Sequence, residues 1–161
     1  MNSSLINRIM NVSHVLVISL ALVLGGCTIK FVADYDSATF EEIVKTGKNV
    51  DKFYGGLLET KEGDRPYPKF SEQYVEIETD VRSLVTRNQA RPLNQESTRI
   101  STIILDLFLK YKAAHQANDN YRTGPATLDR KRFTRLFNAA AAAEKAKLSE
   151  DDKDSSKDSK D

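Results

Sequence analysis

Apolar residues recur at helical spacing in four stretches of this chain, and between those stretches the pattern lapses into glycine, proline and polar residues. Phe40, Ile43, Val44, Gly47, Val50, Tyr54, Leu57 and Leu58 mark one side of a first helix over roughly 39–59. Thr39, followed three residues later by Glu42, has the form of a capping box, in which hydroxyl and carboxylate each satisfy an orphan backbone N–H. "KEGDRPYPK" ends that helix, because a glycine and two prolines over nine residues sustain neither helix nor central strand. Phe70, Tyr74, Ile77, Val81, Leu84 and Val85 predict a second helix over 70–88, stopped by Pro92. Asn94 stands where it would cap a third helix running to about His115, with Ile100, Ile103, Ile104, Leu107, Phe108 and Tyr111 inward. "NDNYRTGP" is a turn, and Pro125 suits the first turn of a fourth helix over 126–147 that turns Leu128, Phe133, Leu136, Phe137, Ala140 and Ala143 inward.

Four amphipathic helices, each about 30 Å long and joined by short loops, predict an all-α fold, an antiparallel four-helix bundle. Gly47 and the pair Gly55-Gly56 sit inside the first helical pattern, where each costs about 1 kcal/mol relative to alanine. Close approach of another helix, or a break near residue 55, would account for them. Residues 148–161 are charged and contain only Leu148 as an apolar side chain, which predicts a disordered tail.

The amino-terminal end follows a different pattern. Arg8 is the only charged side chain among the first 26 residues, and Val15 to Leu24 form an apolar run broken only by Ser19. A slightly positive start, a short apolar run and then small residues make up a signal peptide. The run is short for a spanning helix, which needs about 20 apolar residues, although extension back to Ile9 leaves an uncleaved anchor open. The run ends in Leu24-Gly25-Gly26-Cys27 and holds the only cysteine of the chain.

That tetrad resembles the lipobox of bacterial lipoproteins. The resemblance implies a diacylglyceryl group on Cys27, cleavage before it and acylation, palmitate included, of the new amino terminus. One acyl chain binds membranes marginally and two or more hold stably, so Cys27 would be an anchor and not a nucleophile. Residues 1–26 are then a signal peptide, 27–38 a lipidated tether, 39–147 the bundle and 148–161 the tail. Thr28 replaces the aspartate that, in enterobacterial lipoproteins, retains them at the inner membrane. The implied address is therefore the outer membrane, lipid-anchored and facing the periplasm, or the cell surface in a host with one membrane. The body, from "DYDSATFEEIV" to "LFNAAAAAEKAK", resembles uncharacterised small lipoproteins of Gram-negative bacteria, which carry no activity to transfer.

Composition narrows the function classes. Removing the signal and Arg8 turns 24 basic and 23 acidic side chains into 23 of each, so the charge gives no case for a nucleic-acid partner. A single cysteine permits no internal disulfide, and the bundle must stand on its core. After cleavage His115 is the only histidine, and its place near a helix C-terminus predicts an imidazolium favoured by the helix dipole. Glu41 and Glu42 open the first helix, while Glu72, Glu76 and Asp80 form an i, i+4, i+8 row that reads as a solvated face paired with Arg82 and Lys69. The Glu-x-x-His motif of di-iron bundles is absent from the sequence.

Two features could meet a partner. Arg130, Lys131, Arg132 and Arg135 crowd the fourth helix, and Arg82, Arg87, Arg91 and Arg99 flank the break between the second and third. Arginine pairs bidentately with phosphate or carboxylate, so these clusters suit lipid headgroups or an acidic envelope protein, against the alternative of a solvated face neutralised by neighbouring acids. Tyr67, between two prolines, is either a stiff exposed contact or a ring packed under its loop. The expectation is a membrane-tethered, non-catalytic interaction or structural module of the cell envelope, with no cofactor beyond the lipid on Cys27. An envelope immunity or exclusion factor, and an enzyme working through carboxylates in a groove, are the alternatives.

Overall fold

The computed structural model describes residues 31–148, and from Val32 the described chain folds as one unit. The proposed signal, Cys27 and the residues from 149 onward lie outside the described residues. The four helices are α1 (Ser37–Glu59), α2 (Ser71–Gln89), α3 (Gln95–Asn118) and α4 (Thr123–Ala146), with a 3₁₀ turn at Tyr67–Phe70 before α2. Successive helices run antiparallel and pack in a ring, with α1 closest to α4 and α2 closest to α3. The antiparallel four-helix bundle expected from the periodicity is the observed fold, and among the described residues no helix is long and apolar enough to cross a membrane.

α1 starts three residues earlier than the capping box requires. Asp36 is the cap: its carboxylate accepts from the Ala38 amide at 3.1 Å and from the Thr39 hydroxyl at 2.5 Å. Thr39 is therefore buried inside the first turn, and Glu42 pairs with Arg87 at 2.7 Å instead of reaching back to the backbone. Both residues have the right spacing for a capping box, but Asp36, three residues upstream, starts the helix and takes the Thr39 hydroxyl as a donor. At the other end the Thr60 amide and hydroxyl both donate to the Gly56 carbonyl. Buried Arg65 then closes the terminus, giving Nε to Thr60 O at 2.7 Å, Nη2 to Leu58 O at 3.3 Å and Nη1 to Tyr121 O at 2.9 Å.

Asn94 stands at the N-cap of α3 as expected, but its side chain makes no capping bond. Its amide donates to the Asn88 carbonyl and to Asn88 Oδ1, while its own Oδ1 accepts from Lys147. α4 begins three residues before the expected boundary and carries Pro125 in its first turn, where the missing amide leaves no bond unmade.

The core is aromatic. Phe53, Tyr54, Phe70, Tyr74, Phe108 and Phe133 are buried, with Phe53 and Tyr74 ring centres 4.7 Å apart and Tyr54 stacked on Phe133 at 5.7 Å. The α2 stripe is buried throughout, whereas three residues expected inward face solvent: Val44, Ile103 and Leu128, the last 56% exposed. Each lies at the edge of its stripe, and the helices turn the opposite edge, Phe53 in α1 and Leu105 in α3, into the core. Gly47 is a close approach: a Cβ there would lie 3.0 Å from Phe137 Cβ and Cγ. Gly56 has nothing within 4 Å of such an atom, and α1 continues unbroken past both glycines to Glu59.

Candidate functional site

Each end of the bundle buries a polar cluster. At the end where the chain enters, Glu144 of α4 is fully buried. Its Oε1 accepts from the Asp36 amide and from Arg91 Nη1, each at 3.0 Å, and its Oε2 accepts from Lys147 Nζ at 2.5 Å. Lys147 also donates to Asn94 Oδ1 at 2.6 Å and Ser97 Oγ at 3.1 Å, so all three ammonium protons are placed. Arg91 Nη2 donates to the Asp34 carbonyl, and the Ala33 amide to Leu93 O. Residues 33–36 are thereby tied to the ends of α2, α3 and α4. The cluster is a structural clamp, since every donor on the lysine and every oxygen on the glutamate is engaged.

The opposite end holds His115. Nε2 lies 2.8 Å from the Arg65 carbonyl, which can only accept, so Nε2 carries the proton and Nδ1 accepts from the Tyr74 hydroxyl at 3.0 Å. Burial lowers the His115 pKa below its ordinary value. This corrects the expected imidazolium: the residue does lie in the last turn of α3, but four aromatic rings surround it and exclude the water a cation would need. Beside it, Tyr121 donates to Asp129 Oδ2 at 2.7 Å, and burial raises the pKa of Tyr121, Tyr54 and Tyr74 alike. Asp129 Oδ1 accepts from Arg132, whose Nη1 also donates to the Tyr111 hydroxyl at 2.6 Å.

Over this second cluster, between the C-terminal half of α3 and the start of α4, opens a cleft of about 640 Å³. Its wall includes Ala114, Tyr111, Pro125 and Leu128, and its lining includes Lys110, Arg122 and Arg132. Asp129 supplies the one carboxylate of the lining, and Asn120, also in the lining, has a buried Oδ1 that accepts no hydrogen bond among the described residues. A second hollow of about 580 Å³ lies between α1 and α2, where Glu41, Glu42, Lys45, Asp80 and Arg87 offer mixed charges. Arg87 is already taken there, by Glu42 at 2.7 Å and Asp36 at 3.7 Å.

The basic cluster of α4 is divided. Arg130 turns toward α1 and clasps Asp51 with two bonds of 2.7 and 2.8 Å; Arg132 turns toward α3; Arg135 folds back on the Lys131 carbonyl at 3.3 Å. A helix turns 100° per residue, so neighbours in sequence cannot share a face. Of the arginines near the α2–α3 break, Arg82 pairs with Glu78 at 2.7 Å, Arg91 is in the clamp, and Arg99 reaches Glu96 only at 4.0 Å. The acidic row is solvated at Glu72 and Glu76, but its expected partners are elsewhere: Arg82 on Glu78, and Lys69 on the Asp64 carbonyl and over the Phe70 ring. Tyr67 packs under its loop, stacked on Tyr74 at 5.5 Å, with its amide donating to Asp119 Oδ1 at 2.8 Å. Among the described residues no group of three or more His, Cys, Asp or Glu side chains gathers to hold a metal ion.

Sequence reasoning missed Arg65, Glu144, Lys147 and the cleft. Apart from the Glu144–Lys147 pair and the bonds of Arg65 to Thr60 and Leu58, their bonds join residues 50 or more apart in the chain, where spacing carries no signal. The protein matches no family model, no curated protein and no solved structure, so its function must be argued from its own residues.

Proposed function

We infer that this chain is a lipid-anchored binding module of a bacterial cell envelope, held at the membrane by Cys27 and presenting the helical bundle to a partner. The observation that carries the reading is Leu24-Gly25-Gly26-Cys27 at the end of an apolar, nearly uncharged leader. The bundle supports it in two ways. The clamp ties residues 33–36 to three helix ends, so a pull on the lipidated terminus would be borne by charge-assisted bonds to Glu144 and Arg91 and not by a frayed helix. The groups best suited to proton transfer, His115, Asp129 and Glu144, are each committed to bonds within the protein, which favours binding over catalysis.

On this reading the mature chain resides in the outer membrane, faces the periplasm and takes no cofactor beyond its lipid. The test is expression of the wild type and Cys27→Ala in a Gram-negative host fed labelled palmitate. Label should enter the wild type and fractionate with the outer membrane, while the variant stays unlabelled and keeps its leader. Label on the alanine variant would refute the anchor.

A further inference from the structure

On the reading of this chain as a binding module, we propose that the α3–α4 cleft binds the carboxyl terminus of a peptide whose last side chain is apolar. Three features of the cleft each ask for one feature of that ligand. Leu128 stands more than half exposed on α4 beside Pro125 and Ala114, an apolar surface in a concave setting that a ligand side chain would cover. Lys110, Arg122 and Arg132 put three cations around the cleft against the single carboxylate of Asp129, which Tyr121 and Arg132 already occupy. Neither Lys110 nor Arg122 has an ion-pair partner among the described residues, although Glu62 lies close enough for Arg122 to lower its pKa. Those cations ask for an anion.

The third feature separates ligand classes. Asn120 lines the cleft and keeps an Oδ1 that is buried and has no donor among the described residues; a small turn of its amide would bring that oxygen to a ligand N–H and relieve the cost of a buried, unpaired acceptor. A fatty acid would satisfy the apolar wall and the cations but offers no N–H. An inorganic anion offers neither apolar surface nor N–H. The last residue of a peptide carries all three groups on one carbon: a carboxylate, an apolar side chain and an amide N–H. The cleft also lies at the end of the bundle remote from Ala33.

The test titrates the full chain in a neutral detergent with an N-acetylated tripeptide ending in phenylalanine, followed by calorimetry and by shifts of the backbone amides of 110–132. Its comparators remove one feature each: the carboxamide, the glycine-terminated peptide and 3-phenylpropionate. N-acetylphenylalanine separates a peptide from a free acylated amino acid. Each of the first three should bind about tenfold more weakly than the peptide, and N-acetylphenylalanine, which carries the same three groups but fills less of the cleft of about 640 Å³, should also be weaker. Lys110→Gln with Arg122→Gln, and separately Leu128→Ser, alter exposed positions and should weaken the peptide by a similar factor with unchanged helix content. Absence of binding overturns the proposal, as do equal binding of the carboxamide or indifference to both variants. 3-Phenylpropionate binding as tightly as the peptide would make the cleft a site for simple apolar carboxylates, and equal binding of N-acetylphenylalanine a site for free acylated amino acids; both sink the peptide assignment. Cys27→Ala should bind the peptide like the wild type, so failure of the anchor and failure of the cleft are separately visible.

Discussion

Glu144→Ala is the most exacting test of the clamp. The substitution removes the carboxylate that neutralises Lys147, 5% exposed, and Arg91, whose side chain is 17% exposed, and it orphans the Asp36 amide at the cap of α1. Removing one partner of a buried ion pair costs about 3–5 kcal/mol, because the remaining charge stays desolvated. Arg91 keeps some contact with water and Lys147 keeps Asn94 and Ser97, which favours the lower part of that range, about 3 kcal/mol. For a body of this size each kcal/mol moves the melting temperature by about 4 °C, so the midpoint should fall by roughly 12 °C. Thermal unfolding of the full chain in neutral detergent, followed by far-ultraviolet circular dichroism, measures it. Glu144→Gln keeps the shape and loses the charge, and should fall between the alanine variant and the wild type. Glu96→Ala is the control, since its contact with Arg99 is 4.0 Å long and fully solvated, and it should change stability by less than about 0.5 kcal/mol. A fall of less than about 4 °C for Glu144→Ala would refute the reasoning, because a cost near 1 kcal/mol is that of an exposed pair.

The other predictions concern α1, His115 and the surface of α4. Gly47→Ala should destabilise by up to about 2 kcal/mol, because crowding against Phe137, costing about 1–3 kcal/mol, outweighs a helix-propensity gain of about 1 kcal/mol; Gly56→Ala, with open space around it, should stabilise by up to that gain. Opposite signs in chemical denaturation are the check. Native His115 binds its proton less readily than the unfolded chain does, so its contribution is complete above its ordinary pKa of 6.5 and is lost as pH falls below it. Urea midpoints should therefore decline between about pH 7 and pH 5 in the wild type, and that decline should be smaller in His115→Gln; the lowered pKa values of Asp36, Asp51 and Glu78 act only below about pH 4.5, in a separate window. Replacing exposed Lys131 and Arg135 with glutamine should leave stability within about 0.5 kcal/mol and leave peptide binding at the cleft unchanged, by the same denaturation and titration measurements.

Periodicity carried the architecture because burial imposes it. Tyr74, Ile77, Val81 and Leu84 must return to one face every turn to reach the core, and that repetition is visible in the letters alone. The edges of the stripes were less legible. Leu128 and Ile103 fit the spacing as well as their buried neighbours do, and only the rotation of each helix against its partners decides which edge faces water. Polar roles were the least legible. Glu144 and Lys147 look in sequence like the solvated Glu96 and Arg99, and their burial is set by an Asp36 that lies 108 residues away from Glu144. Arg65 stood within a segment whose prolines explained the helix break, so nothing marked it as the residue that closes α1 and bonds Tyr121 O. His115 was correctly placed at the end of its helix, but the aromatic enclosure that keeps it neutral draws on the 3₁₀ turn, α2 and the α3–α4 loop.

Anchoring of the bundle through Cys27 would be read from the intact mass of the full chain recovered from Gram-negative membranes. The expected species is a polypeptide beginning at Cys27 whose excess mass equals one diacylglyceryl group and one amide-linked acyl chain, with both modifications mapping to the first residue on fragmentation. A polypeptide that retains residues 1–26, or one that begins elsewhere with an unmodified Cys27, would contradict it.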